Sequence, residues 1–275
     1  VKFADVFGCM GKYYDVSNEA NFKDVLNLVL TEAISQTTVQ VDLLDLAKNP
    51  TETDVNMTFY DAVTKQVKYN YLHTLNHRGN PDTIVLNPNM TYDLMVHTIP
   101  PIEKKGITIQ QGKHNVIPVD APQGYLKLEL DGAISKYFPT CVVRKQNEMN
   151  TLNIQDFGKT EKYIVGKYDV EVLTLPRIYL NDVEIKQSTT NTIKIPTSGN
   201  AYITKVSNGS GSIYTDDGKK VTWVCNLNKS LANEIIYLQP GTYKLEFRYE
   251  GVKETTGTIE RKFTITSAVS TSIKL

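Results

Sequence analysis

No single sign of charge dominates this sequence: 30 Lys and Arg face 30 Asp and Glu, for a formal net charge of zero. That balance removes the long-range field with which a protein gathers nucleic acid or an anionic membrane, so no nucleic-acid partner is expected. No apolar run is long enough to cross a bilayer as a helix, and a membrane-spanning chain is not expected. The residues from Val1 onward lack the basic head, apolar stretch and cleavage site of a signal peptide, and a start without Met suggests processing or excision from something longer. Three cysteines, Cys9, Cys141 and Cys225, cannot all pair within one chain. Cys141 and Cys225 sit in apolar runs, where a buried free thiol is the expected state rather than a disulfide framework. A Gly-rich phosphate loop, a Gly-x-Ser-x-Gly elbow and a Cys-x-x-Cys pair are all missing. The expectation is a protein that is not an enzyme, with no catalytic residue, cofactor or metal ligand assigned. A hydrolase would require a pocket that brings a His within reach of a Ser, Cys or carboxylate.

What the chain does have is internal repetition. The segment Tyr92-Asp93-Leu94-Met95-Val96-His97-Thr98-Ile99-Pro100 lies over Tyr168-Asp169-Val170-Glu171-Val172-Leu173-Thr174-Leu175-Pro176, an offset of 168 − 92 = 76 residues. The same offset sets Ile109 over Ile185, Gln111 over Gln187, Asn115 over Asn191 and Ile117 over Ile193. A fainter third copy follows, with Tyr243-Lys244-Leu245-Glu246-Phe247 lying 243 − 168 = 75 residues further on. Its tail, Ile265 to Ile273, matches Ile185 to Ile193 at an offset of 80, as a longer hairpin around Gly251 to Gly257 would produce. The last repeat thus closes at Leu275, which suggests a natural C-terminus.

Each copy alternates apolar residues with a period of two, the signature of half-buried strands. Val39, Val41 and Leu43 open the first copy, Tyr125, Leu126 and Leu128 the second, and Tyr202-Ile203 the third. The expected fold is mainly β: three tandem small β-sandwiches of immunoglobulin-like or transthyretin-like type, preceded by a short strand-helix segment. The expected divisions are 1–36 for that segment, then 37–122, 123–198 and 199–275 for the repeats. The connections around Pro122-Gln123-Gly124 and Ser198-Gly199-Asn200 are short, which favours a semi-rigid rod. Tyr92, Tyr168 and Tyr243 follow a turn and open a strand. In sandwiches a tyrosine so placed bonds its hydroxyl to upstream backbone and pins the crossover, so the three are tyrosine-corner candidates. The alternative is a tyrosine merely half-buried at a strand start. Pro100 and Pro176 should end their strands, because proline cannot donate to a central ladder.

Candidate chemistry is sparse. The four histidines, His73, His77, His97 and His114, all fall in the first repeat and read as exposed polar residues. His73 and His77 stand four apart on a strand-like stretch, roughly 13 Å, too far to share a metal ion. His97 aligns with Leu173, and His114 with Thr190 at a turn-like site. Asn208 to Ile213 reads as a flexible glycine-rich turn. Asp216 and Asp217 read as part of an Asp-Gly hairpin rather than a calcium loop. Tyr60, Tyr69, Tyr71, Tyr137, Phe138 and Trp223 could form a platform for a sugar ring or a partner chain, although sandwich cores use aromatics too.

Before the repeats, Phe22, Val25, Leu26, Val29, Leu30, Ala33 and Ile34 follow helical spacing, with Ser17 or Asn18 as N-cap. Gly11 to Val16 reads as a strand entering that helix. This Gly-Lys-Tyr-Tyr-Asp stretch plus helix resembles the end of a von Willebrand factor A domain. With the Thr-Thr-Val-Gln-Val-Asp segment and the Tyr-Asp-Val-Glu-Val-Leu-Thr-Leu-Pro-Arg-Ile segment, the chain is similar to the C-terminal part of exported bacterial proteins of the Bacteroidetes type that carry such a domain. The repeats themselves resemble transthyretin-like or carboxypeptidase-regulatory-like modules. The resemblance implies an extracytoplasmic location, in the periplasm or on the surface of a Gram-negative cell. The family's metal site needs Asp-x-Ser-x-Ser; Asp15-Val16-Ser17-Asn18-Glu19 lacks the second Ser, so no metal ligand carries over. The expected function is a non-catalytic stalk or docking scaffold in the cell envelope, with an upstream domain or another protein as partner. The alternative is an adhesion module that binds carbohydrate or protein on an exposed strand face.

Overall fold

The computed structural model describes residues 22–27, 37–132, 137–254 and 257–275. The strand expected over Gly11 to Val16, the N-cap candidates and Cys9 lie outside them, as does the end of the expected helix. Residues 22–27 are helical, with Phe22 52% and Leu26 43% exposed.

From Thr38 onward the period-two pattern becomes strand. The first seven are β1 (Thr38–Leu44), β2 (Val55–Asp61), β3 (Val67–His73), β4 (Thr83–Ile84), β5 (Thr91–Val96), β6 (Ile102–Thr108) and β7 (His114–Asp120). The next are β8 (Gln123–Asp131), β9 (Thr140–Lys145), β10 (Thr151–Asp156), β11 (Thr160–Ile164), β12 (Gly166–Val172), β13 (Ile178–Ile185) and β14 (Thr190–Pro196). The last are β15 (Gly199–Thr204), β16 (Gly209–Asp216), β17 (Val221–Asn226), β18 (Asn233–Leu238), β19 (Gly241–Tyr249), β20 (Ile259–Ile265) and β21 (Ser270–Lys274).

Each set of seven makes the same two sheets. The three-stranded sheets run β4-β1-β7, β11-β8-β14 and β18-β15-β21; the four-stranded ones run β3-β2-β5-β6, β10-β9-β12-β13 and β17-β16-β19-β20. In every set the opening strand pairs parallel with the closing one, as β1 does with β7, β8 with β14 and β15 with β21. The chain is thus three tandem β-sandwiches, with inner faces supplied by alternate residues. In the third, Ile203, Ile213, Leu245, Phe247 and Ile265 are buried together. The molecule divides into two compact units, Val1–Ala121 and Pro122–Leu275, the second holding two sandwiches.

Several local expectations need correction. The presumed links are partly strand, since β8 begins at Gln123 and β15 at Gly199. The glycine-rich stretch is not a flexible turn: Gly209 and Gly211 lie within β16. A Cβ at Gly209 would come 2.3 Å from the Phe247 ring and 2.4 Å from the Arg248 carbonyl, so the glycines let this aromatic lie across the strand. The Asp217-Gly218 hairpin is looser than a two-residue turn, because Asp216 pairs with Val221 and leaves four residues between. His114 opens β7 rather than a turn, and its counterpart Thr190 likewise opens β14.

The repeated Tyr-Asp pair has a structural reason. Ladder register shifts between Tyr92 and Leu94, and again between Tyr168 and Val170, so each Asp sits at a β-bulge. Asp93 accepts the amide of Gly106 at 2.9 Å, and Asp169 that of Asp182 at 3.2 Å. Both amides belong to residues at positive φ, 68° and 58°. Where the third repeat has Lys244 instead, β19 and β20 pair without a shift. Pro100 and Pro176 lie beyond β5 and β12, each after a cis peptide bond. Thr98 and Thr174, both buried, donate their hydroxyls to the Pro100 and Pro176 carbonyls at 2.6 and 2.7 Å.

Candidate functional site

The three tyrosines singled out above are almost wholly inaccessible, with Tyr92 0%, Tyr168 3% and Tyr243 1% exposed. Tyr92 donates its hydroxyl to the Asn87 carbonyl at 3.0 Å, Tyr168 to Ile164 at 2.6 Å and Tyr243 to Gln239 at 2.7 Å. Each bond spans the turn between an edge strand of the three-stranded sheet (β4, β11 or β18) and an inner strand of the four-stranded one (β5, β12 or β19). Burial pushes the Tyr92 and Tyr168 phenols up to about 12, and raises that of Tyr243 as well. These hydroxyls keep their protons through the physiological range and act as donors, not as acids.

The histidines do not converge. His73 is buried, contrary to the exposed reading, and its Nε2 lies 2.9 Å from the Val41 carbonyl while Nδ1 has no partner. The ring faces inward because β3 alternates and His73 ends the inward series begun by Tyr69 and Tyr71. Burial lowers its pKa, against the weaker pull of Asp42, Asp82 and Asp54. His77 is exposed, and exposed His114 places Nδ1 2.9 Å from the Thr38 hydroxyl. His97 is exposed with Nε2 2.8 Å from Thr58 Oγ1. Among the described residues no group of three His, Cys, Asp or Glu could hold a metal ion. Cys141 and Cys225 are free, and burial drives their thiols up to about 12 and about 11, which leaves neither reactive at neutral pH.

Of the six aromatics considered as a platform, two meet each other in the first sandwich. Tyr69 and Tyr71 stack on each other and turn toward Phe59 and Tyr92 in the core. Trp223 is 57% exposed and donates Nε1 to Asn226 Oδ1 at 2.9 Å; Phe138 is 60% exposed. Asp216 and Asp217 both accept turn amides, and Asp216 is also held by Lys262 at 2.9 Å.

Tyr137 has a different place, in the joint between the second and third sandwiches. Its ring stacks on Tyr237 with centroids 4.9 Å apart, and its hydroxyl donates to the Leu173 carbonyl at 3.2 Å. Leu175, in the loop that ends β12, packs against the core of the third sandwich, and its carbonyl accepts the Gln239 amide at 2.8 Å. Gln239 in turn donates Nε2 to Ser198 Oγ at 2.9 Å, out of solvent.

Sequence reasoning missed Lys205. Ala201 and Ile203 face inward from β15, and the next inward position, just past the strand end, is this lysine, 3% exposed. Its ammonium donates to the Asn228 carbonyl, lies 3.9 Å from the Glu234 carboxylate and sits 5.8 Å from the Phe247 ring centre. Extending the alternation by one step would have found it.

No protein-family model matches this chain, and no curated protein does either. Among solved structures it is similar to the TIE protein of Bacillus anthracis, at 16% identity over 88% of this chain and 50% of that one, with a TM-score of 0.25. It is also similar to GBS52, the minor pilin of Streptococcus agalactiae, at 11% identity over 58% of this chain and 95% of that one, with a TM-score of 0.27. A third likeness is to SpaC, a pilus adhesin of Lactobacillus rhamnosus GG, at 11% identity over 84% of this chain and 38% of that one, with a TM-score of 0.22. The chain spans half the length of the Bacillus anthracis protein. At these identities and scores the likenesses carry no argument about function, and the resemblance to the end of a von Willebrand A domain has no family match behind it. Among the described residues no helix is long and apolar enough to cross a membrane.

Proposed function

We propose that this chain is a non-catalytic stalk or docking module of an exported bacterial protein, acting outside the cytoplasm. In this reading the units 37–122, 123–198 and 199–275 hold or present an upstream domain, to which segment 1–36 belongs. Tyr92, Tyr168 and Tyr243 serve as tyrosine corners that lock the same sheet-to-sheet crossover in each unit.

The observation that carries the proposal is the joint between the second and third sandwiches. A hinge between domains leaves a polar, weakly packed interface. Here Leu175 of one unit packs on the core of the next, a backbone hydrogen bond ties the same loop to Gln239, and two tyrosine rings stack beside it. A joint of this kind transmits load and orientation, which is what a stalk requires.

Calorimetry on the full chain tests it. The second and third sandwiches are expected to unfold in one transition, and Leu175→Asp, by forcing a carboxylate against an apolar core, to split that transition in two. Independent melting of the two units in the unsubstituted chain would sink the stalk reading.

A further inference from the structure

The outer face of the first four-stranded sheet carries a shallow recess of about 430 Å³, lined by Asn56, Met57, Thr58, Asn70, Tyr71, Leu72 and His97. We propose that this recess binds a neutral, hydroxyl-rich ligand, one sugar ring of a glycan, through Asn56, Asn70 and His97, with Leu72 as its apolar floor. The inference goes beyond the stalk reading and does not depend on it.

Alternation along β2 turns Val55, Met57 and Phe59 to the core and Asn56 and Thr58 outward. Thr58 is only 6% exposed, because its neighbours cover it. Its Oγ1 lies 2.8 Å from Asn70 Oδ1 and 2.8 Å from His97 Nε2. A hydroxyl has one proton. If that proton goes to Asn70 Oδ1, then His97 must donate from Nε2, and its Nδ1 is left as an acceptor. The Asn70 amide nitrogen and the Asn56 side chain have no partner among the described residues either. These three exposed groups thus offer solvent-facing donors and acceptors around one recess, beside a leucine that is 58% exposed. Paired planar polar groups against an apolar surface suit the alternating hydroxyl and C–H faces of a sugar. No Asp, Glu, Lys or Arg lines the recess, so nothing there would favour a phosphate or carboxylate over a neutral ring.

The other sandwiches show that the fold does not need this polarity. Strand register places Thr140, Val142, Ile154 and Leu173 of the second repeat where the first has Asn56, Thr58, Asn70 and His97. The third has a recess at the corresponding place, and Ser212 donates to Asn226 there at 2.8 Å, but Glu246 and Arg248 line it. Those charges are already engaged, Glu246 by Lys244 at 2.8 Å and Arg248 by Thr258 at 2.8 Å.

The second repeat also supplies substitutions that the fold accepts: Thr58→Val, Asn70→Ile and His97→Leu. The test is an amide chemical-shift titration of the full chain with methyl β-galactoside, methyl α-mannoside, N-acetylglucosamine and, as a charged probe, glucuronate. The expected result is saturable millimolar-range shifts confined to amides near Asn56, Thr58, Asn70, Leu72 and His97 with at least one neutral sugar. His97→Leu and Asn70→Ile should each weaken that response at least tenfold while leaving the rest of the spectrum unchanged. No response to any neutral sugar would overturn the assignment. So would shifts centred on Ser210 and Ser212, equal binding to the His97→Leu variant, or preference for glucuronate.

Discussion

Where the first sandwich fills the end of its opening strand with Leu43, fully buried, the third places Lys205 at the same register, 3% exposed. The first keeps an Asp at its bulge; the third has Lys244 and no bulge. The first sandwich buries the imidazole of His73, whereas the third sinks an ammonium facing a carboxylate. Seven strands in the same order survive all three exchanges. The comparison teaches that the fold is set by alternation and crossover, while its buried polar groups are free to differ as long as each is answered locally. The outer faces vary still more: in the second repeat Glu171 is gripped by Arg144 at 2.8 Å and Arg177 at 2.6 Å. Burial raises that carboxyl, and the two guanidiniums more than offset it, holding it below the usual range.

The sharpest way to break this comparison is to remove one half of the third repeat's buried pair. Glu234 also accepts the Asn228 amide at 3.0 and 3.1 Å, so Glu234→Ala strips both the loop and the ammonium of their partner. The expected loss is about 3 kcal/mol, toward the lower end for breaking a buried pair because the ions stand 3.9 Å apart. Lys205→Leu, which copies the first repeat, should cost far less, and combined with Glu234→Ala it should recover most of the loss. Denaturant melts of the three variants decide it; equal losses for both single variants would mean that Lys205 is not the group being answered.

Next in size are the tyrosine hydroxyls. Tyr92→Phe, Tyr168→Phe and Tyr243→Phe each keep the ring and orphan a carbonyl, at a cost of about 1 to 2 kcal/mol apiece. Similar losses would place the same crossover lock in all three repeats. A negligible loss at one site would single that repeat out as held by packing alone. Smaller again is Asp169→Ala, which removes the acceptor for the Asp182 and Asn147 amides and should cost about 1 kcal/mol. The readout is faster hydrogen exchange at those two amides, one in β13 and one in the loop after β9, with β12 itself unchanged.

Much of this architecture was legible in the sequence, because a fixed offset of 76 residues and period-two alternation report directly on strands facing a core. The tyrosines could be named because a turn followed by Tyr is a local signal. Lys205 escaped notice and His73 was read as exposed because their burial depends on which face the strand end presents, and a polar residue gives no apolar cue there. Gly209 and Gly211 were misread for a related reason: a glycine that makes room for Phe247 from another strand looks, in one dimension, the same as a glycine in a turn. The recess around Thr58, Asn70 and His97 draws on β2, β3 and the residue that follows β5, with Thr58 and His97 39 residues apart, and no linear motif marks it.

The smallest expected effect separates the first sandwich from the other two by pH. His73 is neutral and buried, with its folded pKa lowered below 6.5. The unfolded chain therefore takes up a proton near pH 6.5 while the folded chain does not. Stability from this residue is complete above about pH 6.5 and declines as pH falls below it, levelling off only under the folded pKa. All four histidines belong to the first repeat, and the lowered carboxylates Asp61 and Asp93 titrate further down, so between about pH 6.5 and 5 the decline belongs to this sandwich. His73→Gln keeps a donor for the Val41 carbonyl and removes the titration. Hydrogen exchange along β1 and β3, followed over that range, should accelerate in the parent chain and stay level in the variant. A parent chain whose first sandwich keeps its protection unchanged down to pH 5 would show that His73 is not held neutral.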